Sequence, residues 1–422
     1  MMETTALRLY GKEDLRLEKF DLPEIKDDEI LATVVTDSIC MSSWKEAKIG
    51  PDHKKVPNDV AQHPIIVGHE FCGQIVKVGD KWKDKFHAGN KYAIQPNLQL
   101  PDRPDCPGYS FQFIGGDATY VVIPREVMEQ NCLLEYNGDS FFEGSLLEPL
   151  SCVIGGFNAN YHLIEGTYNH KMGIKEGGNL LIMGGTGPMG LLQIDYALHG
   201  PIQPMRLVIT DLTDEKLQNA ERLYSKEDAE EAGVEIHYVN VGKVEDQEAY
   251  LQSLVNNESY DDIMVLVPAK PLVTQASNLL AKDGCLNFFA GPRDKHFQAE
   301  INMYDVHYNF THYVGTSGGN TDDMRAAIKL VEDRKVRVEK VVSHILGLNA
   351  VADTTLNLPG LLPSGKKLIY VQKRLPRKSL EEIASGETQD PFYQGLKDIL
   401  LSNKGLWSKE AEQYVLENGE DI

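Results

Sequence analysis

One glycine-rich turn constrains the fold of this chain more than any other segment. The sequence NLLIMGGTGPMG places Gly185, Gly187 and Gly190 directly after an apolar run and directly before a helix-like segment. Such a turn lets the backbone approach a pyrophosphate, and the helix that follows offers free N–H groups and the positive end of its dipole to the anion. Glycine-rich turns are common, so the motif alone is equally consistent with a structural turn.

The next apolar run favours the dinucleotide-binding interpretation. RLVITD ends in Asp211, about 20 residues after the third glycine, where an acidic side chain accepts hydrogen bonds from the adenosine ribose. A carboxylate there repels the 2′-phosphate of NADP, so NAD(H) is favoured, while the nearby Lys216 leaves NADP(H) open. The predicted cofactor-binding residues are Gly185, Gly187, Pro188, Met189, Gly190, Asp211 and Lys216.

The order of strand-like and helix-like segments predicts the domain organisation. The 422 residues suffice for two or three domains. Short alternating runs indicate a β-rich domain over 1–155, and strands alternating with helices over 156–305 indicate a parallel, doubly wound sheet of the Rossmann type. The β-rich domain resumes over 306–375, and helical periodicity over 376–422 predicts a C-terminal helical extension.

The charge balance disfavours polynucleotides and anionic membranes as partners. Lys and Arg number 42 against 63 Asp and Glu, which gives a net charge of −21. The lysine pairs Lys54–Lys55 and Lys366–Lys367 are predicted to be solvated surface groups.

Cysteine usage and hydropathy indicate a cytoplasmic protein. The six cysteines show no C-x-x-C pair and no spacing typical of secreted disulfide scaffolds. The N-terminal sequence MMETTALRLYGKEDL lacks the basic and apolar regions of a signal peptide, and no apolar run is long enough to span a membrane.

The N-terminal region offers a set of metal-ligating side chains. His69 and Glu70 are adjacent in VGHEFCG, Cys40 ends the run LATVVTDSIC, and Glu148 lies in LLEPLSC. Thiolate, imidazole and carboxylate groups are suitable ligands for zinc, and a catalytic site keeps one position open for water or substrate. A buried His-Glu pair with a purely structural role is the alternative.

Five segments together resemble the zinc-dependent medium-chain dehydrogenase/reductase family: SICMSS, GHEFCGQIVKVG, EPLSC, GGTGPMG and DLTDEKL. The resemblance covers roughly residues 25 to 372 and is strongest to the polyol and sugar-phosphate branch that includes sorbitol dehydrogenase. It implies a GroES-like catalytic domain, a Rossmann domain and alcohol/carbonyl redox chemistry with a nicotinamide cofactor. Carried over, it implies one catalytic zinc at Cys40, His69, Glu70 and Glu148, with either glutamate as a ligand.

The chain departs from the family pattern in two places. The region of the four-cysteine structural zinc lobe, residues 95–110, contains only Cys106, so no structural zinc is expected. In CMSS, Ser42 keeps the hydroxyl that would relay a proton, but Ser43 replaces the aspartate that would orient the metal-binding histidine. Lys45 stands where a relay histidine is common, and it is either a surface residue or a cation that binds an acidic substrate.

Two other functions are compatible with parts of the sequence. A zinc-free reductase of the quinone oxidoreductase type would share the fold, and a non-catalytic sensor would bind the dinucleotide alone. The resemblance also implies a homodimer or homotetramer formed by edge strands. The run CLNFFAG at 285–291 is apolar enough for such an edge and equally for an internal strand.

Overall fold

The strands follow the apolar runs of the sequence. The computed structural model describes residues 2–101 and 103–422. The strands in chain order are β1 Met2–Gly11, β2 Asp14–Leu22, β3 Ile30–Ile39, β4 Ile65–Ile66, β5 Cys72–Val78, β6 Lys91–Ile94, β7 Tyr120–Ile123, β8 Leu133–Glu135, β9 Tyr161–Leu163, β10 His170–Met172, β11 Asn179–Met183, β12 Arg206–Asp211, β13 Glu235–Asn240, β14 Tyr260–Val265, β15 Leu280–Phe288, β16 His312–Val314, β17 Val342–Gly347, β18 Lys366–Tyr370 and β19 Lys378–Ser379.

The helices lie mainly between strands of the second half and at the C-terminus. They are α1 Met41–Ile49, α2 Arg125–Glu129, α3 Phe141–Ser145, α4 Leu147–Ala159, α5 Pro188–His199, α6 Asp214–Leu223, α7 Lys226–Glu231, α8 Gln247–Ser253, α9 Lys270–Asn278, α10 Met303–Tyr308, α11 Thr321–Glu332, α12 Val351–Asn357, α13 Leu380–Ser385, α14 Pro391–Ser402 and α15 Lys409–Asn418. Within the described part of the chain, no helix combines the length and the apolar character needed to cross a bilayer.

The chain divides into two units. The first contains the residues up to Pro149 together with Asn320–Glu332 and Val338–Ile422, and the second contains Leu150–Gly319 and Asp333–Arg337. The first unit therefore consists of three separate stretches of sequence.

An eight-stranded sheet organises the first unit. Its order is β19-β17-β18-β3-β5-β6-β8, and β7 also pairs with β3. β3 pairs antiparallel with both β5 and β18, so a strand of the C-terminal segment lies directly beside one of the N-terminal segment. In β5, Ile75 is buried between the exposed Gln74 and Val76, the alternation expected of a sheet with one solvated face. A second sheet, β2-β1-β4, completes the β-rich architecture.

A six-stranded parallel sheet organises the second unit, in the order β13-β12-β11-β14-β15-β16. All five residues of β11 are buried, as expected of a central strand covered on both faces. β11 pairs with β12 on one side and β14 on the other, so the strand order reverses at β11. Ligands of open α/β sheets bind at such a point, beyond the carboxyl ends of the strands.

The edge of the parallel sheet is not the CLNFFAG run. β15, which contains most of that run, pairs with both β14 and β16 and is therefore internal. Of the two interpretations that the sequence leaves open, the internal strand is correct. The edges are β13 and the short β16, whose apolar character is too slight for a sequence pattern to single it out.

The C-terminal extension is helical, as predicted, and packs against the first unit. Trp407 is fully buried and donates from Nε1 to the hydroxyl of Tyr370, at 2.8 Å. The carboxylate of Glu412 accepts from the backbone N–H groups of Phe141 and Phe142, both at 2.7 Å, at the start of α3. Burial raises the pKa of Glu412 to about 7. The extension therefore caps the helix that immediately precedes α4.

Replacing Glu412 with Ala should destabilise the first unit by about 2–4 kcal/mol, because two buried N–H donors lose their acceptor. All three tryptophans, at 44, 82 and 407, belong to this unit, so tryptophan fluorescence during urea unfolding reports on it. Glu417→Ala, an exposed position on the same helix, should change the free energy of unfolding by less than about 0.5 kcal/mol. Equal effects of both substitutions would contradict the capping role.

Candidate functional site

The end of β3 positions the first candidate ligand. Cys40 follows the strand directly and, with extended backbone angles, serves as the N-cap of α1. The chain therefore changes direction at the thiol, which is half-buried, and α1 carries Ser42 and Ser43 in its first turn. The Ser42 hydroxyl donates to Sγ of Cys40 at 3.0 Å.

The loop between β4 and β5 positions His69 and Glu70. Gly68 has a φ of +88°, and a Cβ there would lie 2.1 Å from Oδ2 of Asp37, so only glycine fits. Oδ1 of Asp37 accepts from the backbone N–H groups of Ser38, at 2.7 Å, and Glu70, at 3.0 Å. The buried Asp37 thus fixes the loop against the end of β3, and the G-H-E sequence can place its two ligating side chains beside the thiol.

The structure brings three of the four predicted ligands together. Sγ of Cys40, a ring nitrogen of His69 and a carboxylate oxygen of Glu70 lie within 4.8 Å of one another. Burial lowers the pKa of His69 to about 4, which keeps the imidazole neutral and able to bind a metal. Burial also raises the pKa of the Cys40 thiol to about 12, so the thiolate forms only as a cation binds. A thiolate, an imidazole and a carboxylate together form a set of donors that fits zinc.

Hydroxyl groups surround the His69 imidazole. Oγ of Ser42 lies 3.2 Å from Nε2, and Oγ of Ser43 lies 3.4 Å from Nδ1. Ser43 therefore occupies the place of the orienting aspartate and offers a weaker, neutral contact. Ser42 lies on the side of the ring that faces Cys40, where a proton relay would be needed.

Glu70 is held by a lysine that the sequence analysis assigned to the surface. Nζ of Lys366 lies 2.5 Å from both carboxylate oxygens of Glu70, and Oε2 of Glu70 also accepts from the Ser38 hydroxyl. Lys366 and Lys367 are 2% and 3% exposed, so the prediction of a solvated lysine pair is wrong. The prediction fails because β18 lies between two other strands inside the sheet, so the side chains of both lysines are buried.

Glu148, the fourth predicted ligand, lies outside this group of three. It begins the first turn of α4 and is 8% exposed. The negative charge of Glu148 raises the pKa of Lys366, although burial and Glu70 have larger effects on that pKa. Glu148 therefore lies close to the cluster. The geometry is consistent with a second carboxylate near the metal position.

Tyr109 is a functional candidate that the sequence analysis missed. Its hydroxyl lies 3.4 Å from Nε2 of His69, and the two ring centroids are 4.9 Å apart. The residue is 4% exposed and belongs to the loop where the family's zinc lobe would lie. In that loop Sγ of Cys106 contacts the carbonyl of Pro96 at 2.7 Å. Asp102, within the same loop, lies outside the described residues.

The predicted dinucleotide turn has the required close contacts. A Cβ on Gly190 would lie 2.2 Å from the carbonyl oxygen of Gly185, so the third glycine is needed for α5 to pack against β11. A Cβ on Gly187 would meet no atom within 4 Å, which leaves open space before the first turn of α5. The half-exposed Pro188 and Met189 begin that turn. Proline has no N–H, whereas the N–H of Met189, in the first helical turn, lacks an intrahelical partner. A pyrophosphate fits here.

Asp211 ends β12 and is oriented by its neighbours. One carboxylate oxygen accepts from the Thr186 hydroxyl and the other from the backbone N–H of Leu212, at 2.8 Å. Thr186, inside the glycine turn, therefore connects that turn to Asp211, the predicted ribose-binding acid. Lys216 is half-buried on α6, just beyond the strand end, and Lys45 is half-buried on α1.

Comparison with known proteins identifies the family. Residues 26–131 match the alcohol dehydrogenase GroES-like domain, and residues 188–333 match the zinc-binding dehydrogenase domain. The chain belongs to the zinc-type medium-chain dehydrogenase/reductase family. The predicted family, fold class and enzyme class are thus confirmed: it is a dehydrogenase of the zinc-binding type that acts on a small molecule with a nicotinamide cofactor.

Individual relatives cover the whole chain. It is 62% identical to L-sorbose 1-phosphate reductase from Klebsiella pneumoniae, over 100% of this chain and 99% of the relative. It is 43% identical to mannitol-1-phosphate 5-dehydrogenase from Aliivibrio fischeri, over 99% and 98%. A Sinorhizobium meliloti structure bound to NADP aligns with a TM-score of 0.71 at 21% identity, over 88% of this chain and 100% of that one.

Replacing Cys40 with Ala should remove the bound zinc and reduce turnover by at least about 100-fold, because no second thiol lies in the cluster. NADH binding, measured by fluorescence, should be unchanged because the turn at Gly185 lies in the other unit. Metal analysis provides the direct readout, and Cys132→Ala, a buried thiol outside the cluster, provides the control. Full zinc content in Cys40→Ala would refute this ligand assignment.

Proposed function

We propose that the enzyme interconverts a secondary alcohol of a sugar phosphate or polyol and the corresponding ketone, with reduction of L-sorbose 1-phosphate as the specific reaction. The observation that carries this proposal is the buried thiol, imidazole and carboxylate cluster with two hydroxyls at Nε2 of His69. The 62% identical reductase supports the substrate. The match to that reductase extends over 100% of this chain and 99% of the relative, so the two proteins are of similar length.

Each residue of the site has a separate role in the proposed reaction. Zinc, held by Cys40, His69 and either Glu70 or Glu148, would supply Lewis-acid stabilisation of the reacting oxygen, and the nicotinamide would carry the hydride. Ser42 holds a proton at Oγ, beside His69, and can exchange it with the substrate hydroxyl. Burial raises the pKa of Tyr109 well above its usual value, so its hydroxyl stays protonated as a hydrogen-bond donor.

We further propose one catalytic zinc and no structural zinc, because a single thiol cannot close a tetrahedral site in the 95–110 loop. NAD(H) is the preferred cofactor, since the Asp211 carboxylate repels a 2′-phosphate. The six cysteines are all free thiols, in keeping with a reducing cytoplasm.

The proposal is tested by incubating the purified enzyme with NADH and L-sorbose 1-phosphate and following nicotinamide absorbance. We expect NADH oxidation, at least 10-fold lower kcat/KM with NADPH, loss of activity on chelation and recovery with added zinc. One zinc per chain should be found by metal analysis. Full activity after complete metal removal would favour the zinc-free reductase, and NADH binding without turnover of any polyol or ketose would favour the sensor.

We also propose that the enzyme is a homodimer or homotetramer assembled through β16. Among the strands of residues 2–101 and 103–422, β16 pairs only with β15 and forms one edge of the sheet, where a strand of a second copy can pair. The adjacent α10 exposes more than half of Met303, Tyr304 and Tyr308. A bare edge beside an exposed apolar surface is typical of an interface.

The double substitution Tyr304→Glu and Tyr308→Glu should shift the enzyme toward monomers in light scattering after size-exclusion chromatography. The physical reason is that a closed interface would have to bury two carboxylates without partners. Leu401→Glu, at an exposed position on α14, should leave the mass unchanged. An unaltered assembly in the double variant would place the interface elsewhere.

A further inference from the structure

Three lysines surround His53, just after α1. Burial lowers the pKa of His53, and the positive charges of three ammonium groups, those of Lys55, Lys54 and Lys45, lower it further, to about 4. Nδ1 of His53 accepts from the backbone N–H of Lys55 at 3.3 Å. The neutral ring therefore carries its proton on Nε2 and can donate it to an anion.

Lys55 is fixed in position without a countercharge. Its backbone carbonyl accepts from the Ser110 hydroxyl at 2.7 Å, and its Nζ lies 3.4 Å from Sγ of Cys106 and 5.0 Å from the centre of the Tyr109 ring. Within residues 2–101 and 103–422, no carboxylate lies within 4.0 Å of the ammonium group of Lys54 or Lys55. Lys54 is exposed and Lys55 half-buried, so two positive charges without a bound carboxylate lie side by side here and can attract an anion.

Tyr109 connects the lysines to the reaction centre. One end of this side chain contacts His69, while its ring stacks on His53 with centroids 5.7 Å apart and planes at 17°. A single buried aromatic ring thus separates the candidate metal site from the group of cations. A small molecule that reacts at the candidate metal site is therefore close to the group of cations.

Glu46 does not neutralise the lysines. It is fully buried on α1, and neither of its carboxylate oxygens has a hydrogen-bond partner in the described part of the protein. Burial, reinforced by the charge of Asp117, raises the pKa of Glu46 well above its usual value. This shift favours the neutral form of Glu46, which would leave the positive charge of Lys55 available.

We propose that four side chains bind the phosphate group of the substrate: Lys45, His53, Lys54 and Lys55. The inference rests on the proposed function, since it assigns the phosphate of the proposed sugar phosphate to these residues. Lysine ammonium groups bind phosphate as point charges, and the Nε2–H of His53 adds a directional donor. The glycine turn, which is the proposed site for the cofactor's phosphates, belongs to the second unit, whereas these four residues belong to the first.

The test compares the zinc-loaded enzyme with the double variant Lys54→Gln and Lys55→Gln. KM for L-sorbose 1-phosphate should rise about 10- to 100-fold, the effect expected from losing charged hydrogen bonds. The inhibition constant of inorganic phosphate should rise in parallel, whereas KM for NADH and kcat/KM for unphosphorylated L-sorbose should not change. Lys55→Arg in a Lys54→Arg background should restore most of the affinity.

The matched control is the double variant Lys19→Gln and Lys77→Gln, which removes two exposed charges from the same unit. Its KM for the sugar phosphate should stay within about twofold of the wild type, since these two exposed lysines do not belong to the proposed phosphate site and salt screens exposed charges. If the wild type reduces the sugar phosphate and the Lys54 and Lys55 variant does so with unchanged KM, the inference is wrong and the proposed function stands. If the wild type acts only on unphosphorylated polyols, both fail.

Discussion

The site depends on one buried ion pair between distant parts of the chain. Glu70 is fully buried, and Lys366, from the C-terminal segment, is 2% exposed. Each ion loses several kcal/mol of hydration on burial, and removing one partner of such a pair typically costs about 3–5 kcal/mol. Burial alone would lower the pKa of Lys366, but Glu70 raises it, so the lysine remains charged. The G-H-E loop is therefore stable only after β18 has paired with β3.

The same ion pair determines how Glu70 can act toward a metal. Its oxygens already accept from Lys366 and from the Ser38 hydroxyl, so a cation would have to share the carboxylate with an ammonium group. Glu148 lies close enough for its charge to raise the pKa of Lys366. A metal held here would therefore have two carboxylates nearby, and Lys366 would partly balance their negative charge.

Sequence patterns predicted those parts of the site that local geometry determines. Gly185, Gly187 and Gly190 lie within one turn. Cys40 directly follows β3, whose apolar run is visible in the sequence, and His69 lies in the short loop after β4. Tyr109 and Lys366 could not be predicted, because their contacts arise from pairing between segments far apart in the chain. A lysine in a short basic run is normally solvated, and only the position of β18 inside the sheet overrides that expectation.

The region near the site carries less negative charge than the net charge of the chain suggests. The formal value of −21 counts every acid as ionised. Burial raises the pKa of Asp117 to about 8 and places those of Asp37 and Glu46 well above their usual values. These acids lie against the G-H-E loop or close to Lys55, and in protonated form they add no negative charge there. The region around the candidate metal site is thus less acidic than the net charge suggests, so a local group of lysines suffices for the proposed binding of an anionic substrate.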